Sequence, residues 1–339
     1  MHKTKKIKVG TTIIGGGEKI SIQSMLSVPS SDFDGNIKQA IELEKSGCDI
    51  LRVAIPNKDT VKIIPEIKKN IKIPIVADIH FDEKLAIESV FAGADKIRIN
   101  PGNISSEGIK NITKVCRNFN IPIRIGINSG SIKFENPNSK ILAENALENI
   151  KILENLDFKD IVVSVKSSCV RTCIEAYRIL NKKTEYPLHI GITESGTEKT
   201  GIIKSSIGIG ALLLDGIGDT IRVSLSADPE KEIETGISIL KSLGLRDGAT
   251  IISCPTCGRA TIDVVSLAEK LEKELKNLNK NIKIAVMGCP VNGPGEAKGA
   301  DLAITGANGI GFIFKKGIII RKTQQEKLVE EILNEVKAY

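Results

Sequence analysis

Tryptophan is absent from this 339-residue chain, and aromatic residues of every kind make up only 3% of it. Stacking platforms for single-stranded nucleic acid are therefore scarce, and a nucleic-acid role is set aside on that ground. Only three histidines occur, His2, His80 and His189, so no zinc-finger spacing with paired histidines can be drawn. No segment approaches the roughly 18 consecutive apolar residues that a membrane span needs. The start, Met1-His2-Lys3-Thr4-Lys5-Lys6, is basic, but Ile7-Lys8-Val9 runs into glycines and polar residues instead of the apolar core of a secretory signal. A cytoplasmic protein is the expectation. Seven cysteines, an odd number in a compartment expected to be reducing, argue against a disulfide framework. Neither sign of charge dominates: 48 basic and 41 acidic side chains leave +7, interspersed along the chain, which favours anionic partners only mildly. Hydrophobic residues at 41% and charged residues at 26% are ordinary for a soluble globular protein and exclude intrinsic disorder.

What is present is a rhythm. From residue 20 to about 243, short β-branched runs end in polar or glycine residues and are each followed by a helical stretch. The runs are Ile20–Met25, Asp49–Pro56, Ile73–His80, Lys96–Gly102, Ile121–Asn128, Ile161–Ser167, Pro187–Glu194 and Thr220–Ser226, with starts 23 to 40 residues apart. Ile73-Pro-Ile-Val-Ala and Ile161-Val-Val-Ser-Val are nearly continuously apolar, as parallel strands buried on both faces should be. Eight such units indicate a closed (β/α)8 TIM barrel, with an open doubly wound sheet as the alternative. Lys8–Lys19, with Gly15-Gly16-Gly17, reads as a hairpin closing the bottom of the barrel. After Gly244 the rhythm changes. Ile251-Ile-Ser253, a helix over about Val264–Leu278, a strand Ile282–Met287, a glycine-rich loop at residues 291–296, short strands with Leu302-Ala-Ile and Gly311–Phe314, and a last helix from about Gln324 make a smaller α+β domain. The expected domains are residues 1–245 and 246–339.

In a barrel, functional groups come from the C-terminal strand ends and the loops beyond them. Those ends carry Gln23-Ser24-Met25, Arg52, Asp78, His80, Arg98, Asn100, Arg124, Asn128, Ser164, Lys166, His189, Thr193, Glu194, Arg222 and Ser224. Alternate residues of a strand point the same way, so Arg98/Asn100 and Arg222/Ser224 each aim at one space. Four arginines and a lysine in strands are costly unless an anion meets them, and guanidinium forks match phosphate oxygens. The structural alternative is pairing with strand-end carboxylates such as Asp78 and Glu194. His80 and His189 read most simply as hydrogen-bonded barrel histidines.

Cys254 and Cys257 are separated by two residues, and Cys289 follows after 31 more, each at a strand end beside proline or glycine. Three thiolates alone do not complete a structural zinc site. They suit a cubane cluster with one distinctive iron, for which Glu296, seven positions after Cys289, is the candidate fourth ligand. A carboxylate is a harder, more exchangeable ligand than a thiolate and leaves that iron open as a Lewis acid. A zinc-ribbon-like site and a thiol redox pair stay open on spacing alone. Cys48 and Cys116 read as buried hydrophobes, and Cys169 and Cys173, i and i+4 on a helix, as packing residues.

Cys254-Pro-Thr-Cys257-Gly-Arg259 together with Gly288-Cys289-Pro-Val-Asn-Gly-Pro-Gly-Glu296 closely resembles the signature of the iron–sulfur 4-hydroxy-3-methylbut-2-enyl diphosphate synthases, the IspG or GcpE family. The resemblance covers essentially the whole chain, including Ile22-Gln-Ser-Met25, Val76-Ala-Asp-Ile-His80, Ile97-Arg-Ile-Asn-Pro-Gly-Asn103, Val163-Ser-Val-Lys166, Ile190-Gly-Ile-Thr-Glu194 and Gly216-Ile-Gly-Asp-Thr-Ile-Arg222. The length is similar to the compact bacterial form. One departure stands out: Cys169 takes a place where the family has Asp.

The resemblance implies reductive, two-electron ring opening of 2-C-methyl-D-erythritol 2,4-cyclodiphosphate to (E)-4-hydroxy-3-methylbut-2-enyl diphosphate with loss of water, in the non-mevalonate route to isoprenoids. It implies a ferredoxin- or sulfite-reductase-like cluster domain after the barrel. By position, Arg52, Arg98, Asn100, Arg124, Asn128, Lys166, Thr193, Arg222 and Ser224 hold substrate. Cys254, Cys257, Cys289 and Glu296 ligate a [4Fe–4S] cluster, Glu296 doubling as a catalytic residue, and Glu194 is the candidate for proton delivery to the departing hydroxyl. Reduced flavodoxin or ferredoxin is the expected electron donor, and a head-to-tail homodimer the expected assembly. Two readings compete: a non-redox barrel lyase or transferase for phosphorylated or pterin-like substrates with a structural metal tail, and a zinc-dependent binding module.

Overall fold

Runs of Ile and Val that are apolar without alternation can only be accommodated as strands covered on both sides. The computed structural model, which describes residues 4–131, 138–276, 278–291, 293–307 and 309–339, turns all eight runs into parallel strands of one sheet. An antiparallel hairpin, β1 (Ile7–Val9) and β2 (Thr12–Ile14), comes first. The eight strands follow: β3 (Ser21–Met25), β4 (Ile50–Ala54), β5 (Ile75–Asp78), β6 (Lys96–Ile99), β7 (Ile123–Asn128), β8 (Ile161–Lys166), β9 (His189–Ile190) and β10 (Thr220–Ile221). Their order is β8-β7-β6-β5-β4-β3-β10-β9. A parallel bridge from Val163 to Leu188, with the Val163 N–H donating to the Pro187 carbonyl at 2.9 Å, joins the two end strands and completes the ring. The closed barrel expected from the sequence is what forms, and the open sheet is set aside.

Strands β9 and β10 are only two residues long, shorter than the runs that announced them. Beyond them, at Gly191 and Arg222, the two backbones approach so closely that a Cβ on Gly191 would stand 2.2 Å from the Arg222 carbonyl oxygen. The βα turns are fixed by side-chain caps. Ser105 Oγ accepts from the Gly108 N–H and Asn138 Oδ1 from the Ile141 N–H, both at 3.0 Å, starting the helices Ser106–Phe119 and Ser139–Glu154.

The hairpin plugs one end, as its sequence suggested. Ile7, Val9 and Ile14 are buried against Ile50, Val76 and Val162, which lie near the starts of β4, β5 and β8. Residues 1–3 ahead of it, His2 among them, lie outside the described residues.

The chain divides by its contacts into Met1–Leu243 and Gly244–Tyr339. The second unit is a five-stranded sheet of β11 (Ala249–Ser253), β12 (Ile282–Met287), β13 (Leu302–Ala307), β14 (Ile310–Lys315) and β15 (Ile318–Gln324), in that order. The first three are parallel and the last two antiparallel. Helices Val264–Glu274 and Leu328–Ala338 cover one face, with Leu267, Leu271, Leu328 and Ile332 packed on Ile284, Val286 and Ile304. On the other face Ala297 and Ala300 pack on Ala285, Met287 and Ala303.

Two local expectations are corrected. The glycine-rich segment is not a plain loop: Gly293–Lys298 is a helical turn, on which Ala297 is buried. Asn292, in the same motif, lies outside the described residues. The last helix begins at Leu328 rather than near Gln324, because β15 intervenes. That strand is exposed along most of its length, so it carries no period-two signal, yet Lys316 (φ 48°) and Gly317 (φ 80°) form the two-residue left-handed turn that returns a tight hairpin.

The plug makes a testable statement. Ile14 is fully buried, so Ile14→Ala should cost about 2–4 kcal/mol in denaturant unfolding of the barrel. A loss under about 1 kcal/mol would show that the hairpin stands outside the cooperative core.

Candidate active site

Along β4, β5 and β8 the side chains of one face change from apolar to polar toward the C-terminal end. Ile50 gives way to Arg52, Val76 to Asp78, and Val162 to Ser164 and Lys166. Strand register then sets neighbours: Arg98 stands opposite Asp78 on one side and Arg124 on the other, and Lys166 opposite Asn128.

Asp78 is the first organising group. It is buried, with Arg52 Nη2 donating to Oδ2 at 2.6 Å and Arg98 Nη1 to Oδ1 at 3.1 Å, while His80 Nε2 lies 3.3 Å from Oδ2. Burial alone would raise its pKa, but the two guanidiniums and the His80 hydrogen bond win and hold the carboxyl far below the usual carboxylate range. Arg98 Nη2 also donates to the Gly126 carbonyl at 3.0 Å. Gly126 is required there, since a Cβ would stand 2.2 Å from Arg98 Nε. Glu232, buried on the helix Pro229–Ser242, is the second organiser: Oε2 accepts from Arg222 Nε at 3.4 Å and Oε1 from the Leu225 N–H at 3.0 Å.

The remaining cations lack this compensation. Among the described residues no carboxylate comes within ion-pair distance of Lys96, Arg124 or Lys166, although all three are buried. Lys96 Nζ and Arg124 Nε have no hydrogen-bond partner. Burial, then repulsion by neighbouring cations, lowers the pKa of Lys96, Arg124 and Lys166 well below their ordinary values. His189 is wholly buried with Nδ1 2.7 Å from Thr220 Oγ1, and burial together with Arg124, Lys166 and Lys96 keeps its ring uncharged. It is the hydrogen-bonded barrel histidine the sequence suggested. His80 is hydrogen-bonded as well, beside Asp78 and Arg98, but half exposed.

Asn100 Oδ1 accepts from the Gly102 N–H at 3.2 Å, and Asn128, Thr193 and Ser224 are half-buried at their strand ends. Glu194 is exposed and forms no ion pair among the described residues, so it does not neutralise the cations. Its backbone is left-handed (φ 50°), a strained conformation for glutamate that turns the chain out of the barrel. The structural alternative is met only in part, by Asp78. Reading the sequence missed Lys96 and Glu232. Lys96 stands two residues before Arg98 and so shares its face, a signal that was available; Glu232 lies on a helix and gave none.

In the second unit, Cys254 follows β11 and Cys289 follows β12, the adjacent parallel strand. The Cys254 N–H donates to the Val286 carbonyl at 3.2 Å, and the Gly288 N–H donates to Cys254 Sγ at 3.3 Å. Cys257 is exposed, and hydrogen bonds from the Arg259 backbone and side chain lower its thiol pKa. Glu296 is exposed on the short helix Gly293–Lys298. Among the described residues no three His, Cys, Asp or Glu side chains converge as a metal site. The fold thus delivers Cys254 and Cys289 to neighbouring strand ends without closing all four groups into one coordination sphere. The donor set itself fits a thiolate-bound cluster: all seven cysteines are free thiols, and an N–H directed at sulfur is the outer-shell contact a ligating thiolate takes.

Cys48 and Cys116 are buried, their thiols pushed up to about 12 by burial. Cys173 is likewise buried, but Cys169 is exposed at the start of the helix Val170–Asn181, so its reading as a packing residue is corrected. The cap position puts it outside the buried helix face that Cys173 occupies.

Residues 4–237 match the family model described as the GcpE TIM-barrel domain, and residues 250–338 that of the GcpE protein C-terminal domain. The chain is 52% identical over 339 residues to a 4-hydroxy-3-methylbut-2-en-1-yl diphosphate synthase (flavodoxin) of Clostridium perfringens, covering 98% of this chain and 97% of that protein. It is 49% identical over 342 residues to the protein of the same name in Geobacillus kaustophilus, covering 98% and 91%. Among solved structures, dihydropteroate synthases of Yersinia pestis (TM-score 0.54, 11% identity, 72% of this chain and 100% of that one) and Stenotrophomonas maltophilia (0.55, 12%, 71% and 98%) share the barrel fold. Matched along both units and about half identical to these bacterial synthases over nearly its whole length, the chain belongs to the GcpE family.

Proposed function

We propose that this protein catalyses the two-electron reductive ring opening of 2-C-methyl-D-erythritol 2,4-cyclodiphosphate to (E)-4-hydroxy-3-methylbut-2-enyl diphosphate, with loss of water, as a cytoplasmic enzyme of isoprenoid biosynthesis. The observation that carries the reading is the excess of cations over carboxylates inside the barrel, which calls for an anionic ligand. The synthase name borne by relatives of half identity points to the same ligand.

Arg98 and Arg222, each held at one side by a buried carboxylate, present their remaining N–H groups to the diphosphate. Arg52, Arg124 and Lys166 add charge, and Asn100, Asn128, Thr193 and Ser224 add hydrogen bonds at the mouth. Glu194, exposed at its strand end, delivers the proton to the departing hydroxyl. Cys254, Cys257, Cys289 and Glu296 hold a [4Fe–4S] cluster. When bound, that group would pass on, one at a time, the two electrons that breaking the carbon–oxygen bond requires, the donor being reduced flavodoxin, printed in the relatives' name, or ferredoxin. The assembly is a head-to-tail homodimer.

Anaerobically purified protein should be brown, absorb broadly near ~400 nm, contain about four irons per chain and convert the cyclodiphosphate when given reduced flavodoxin. Colourless protein carrying one zinc would sink the reading in favour of a non-redox barrel enzyme or a binding module.

Arg98→Ala and Arg222→Ala should each weaken substrate binding by about 1.5–3 kcal/mol, roughly 10- to 150-fold, with iron content unchanged. Unaltered kinetic constants in either variant would remove that residue from the phosphate site.

Glu296→Cys should retain the cluster spectrum while losing most turnover, because a thiolate exchanges less readily than a carboxylate. Glu296→Ala should hold iron less securely and be more sensitive to oxygen. Full activity in the cysteine variant, or unchanged spectra and stability in both, would end the ligand assignment.

A further inference from the structure

Two lysines differ from every other cation in the barrel. Lys96 opens β6, in register with Val76 on β5 and two residues before Arg98; it is wholly buried and its Nζ has no hydrogen-bond partner. Lys166 closes β8, in register with Asn128, and is also buried. The two carboxylates nearby are engaged elsewhere, Asp78 by Arg52 and Arg98, Glu232 by Arg222. The charged and titratable groups facing Lys166 are Arg124 from β7, Arg222 following β10, Arg52 from β4 and the protonated Cys173 thiol from the helix behind it. Lys96 faces Arg124, and uncharged His189 on β9 lies near both lysines. No negative group among the described residues offsets either ammonium. Arginine keeps its proton under such pressure, whereas a buried lysine gives its proton up.

We propose that Lys96 is an unrecognised member of the anion-binding site, and that Lys96 and Lys166 both take up a proton as the anionic ligand enters the barrel. The lowered pKa that burial and cation repulsion give both lysines agrees with their being amines in the empty barrel. An anion seated against Arg98 and Arg124 reverses the local field. Lys96, sharing a strand face with Arg98 at a spacing of about 6.6 Å along the strand, is close enough to respond. Before binding, the arginines already outnumber Asp78 and Glu232, so further charge on either lysine is opposed; an anion seated among the guanidiniums removes that opposition and favours protonation of the neighbouring amines. This inference rests on the reading that the barrel binds a cyclic diphosphate.

The test is isothermal titration of the cluster-loaded, oxidised enzyme with 2-C-methyl-D-erythritol 2,4-cyclodiphosphate, without electron donor, in three non-phosphate buffers of different ionisation heat at pH 8. Inorganic sulfate, which like the cyclodiphosphate has no titrating proton at that pH, is run as a second probe. The observed enthalpy should rise with the buffer's ionisation heat with a slope near two protons per site in the wild type and near one in Lys96→Met. Affinity should fall about 100-fold per pH unit above pH 8 in the wild type but about tenfold in the variant, since uptake on binding makes the ligand bind more weakly as protons become scarcer. A purely structural role for Lys96 would leave the proton count untouched. A slope near zero in the wild type overturns the proposal, and a wild-type slope in both Lys96→Met and Lys96→Gln overturns the assignment to Lys96. If sulfate binds with proton uptake while the cyclodiphosphate does not bind, the lysine behaviour stands and the substrate reading falls; if neither binds, both fall.

Discussion

The charge balance inside the barrel governs the arrangement of everything around it. Six cations, Arg52, Lys96, Arg98, Arg124, Lys166 and Arg222, share the interior with Asp78 and with Glu232 reaching in from a helix. Removing an ion from water costs several kcal/mol even after relaxation, so a member that stays charged without a carboxylate, as Arg124 does, stores free energy that folding elsewhere must supply. The apolar exterior of the strands and the hairpin core of Ile7, Val9 and Ile14 supply it. Asp78 and Glu232 do not neutralise the cluster; they fix the orientation of particular guanidiniums and leave Lys96, Arg124 and Lys166 without a carboxylate partner among the described residues.

The barrel was legible because its physical cause is local. A strand covered on both faces must be apolar at nearly every position, and Ile161-Val-Val-Ser-Val could hardly be anything else. The cation-rich strand ends were legible for the converse reason, as charges that a strand does not carry without purpose. The cluster motif is legible only as a whole signature, since the spacing of its cysteines alone also suits zinc or a thiol pair. What escaped notice depended on tertiary context. Strand β15 is an exposed edge with no alternation to reveal it, and the helical turn Gly293–Lys298 contradicts its own glycine content because burial of Ala297 outweighs propensity. Glu232 lies ten residues beyond Arg222 on an ordinary amphipathic helix, and only the packing of that helix beneath the strand end aims its carboxylate at the guanidinium.

The cysteines show how little a residue type says without its surroundings. Cys48, Cys116 and Cys173 are enclosed, and burial holds them as inert thiols. Cys169 and Cys257 are exposed, with hydrogen bonds that ease ionisation. Cys254 and Cys289 owe their proximity to the pairing of β11 with β12, so their suitability as ligands is a property of strand register more than of spacing along the chain.

The hairpin plug turns the barrel into a blind well. Ile7, Val9 and Ile14 close one end with groups that neither pass water nor carry protons. Every molecule and every proton that reaches Lys96 must therefore enter past the arginines at the open end and leave by the same route. Exchange of solvent at the floor is set by traffic at the rim, so whatever occupies the rim also determines how long the floor keeps the protonation state it had when the well was sealed.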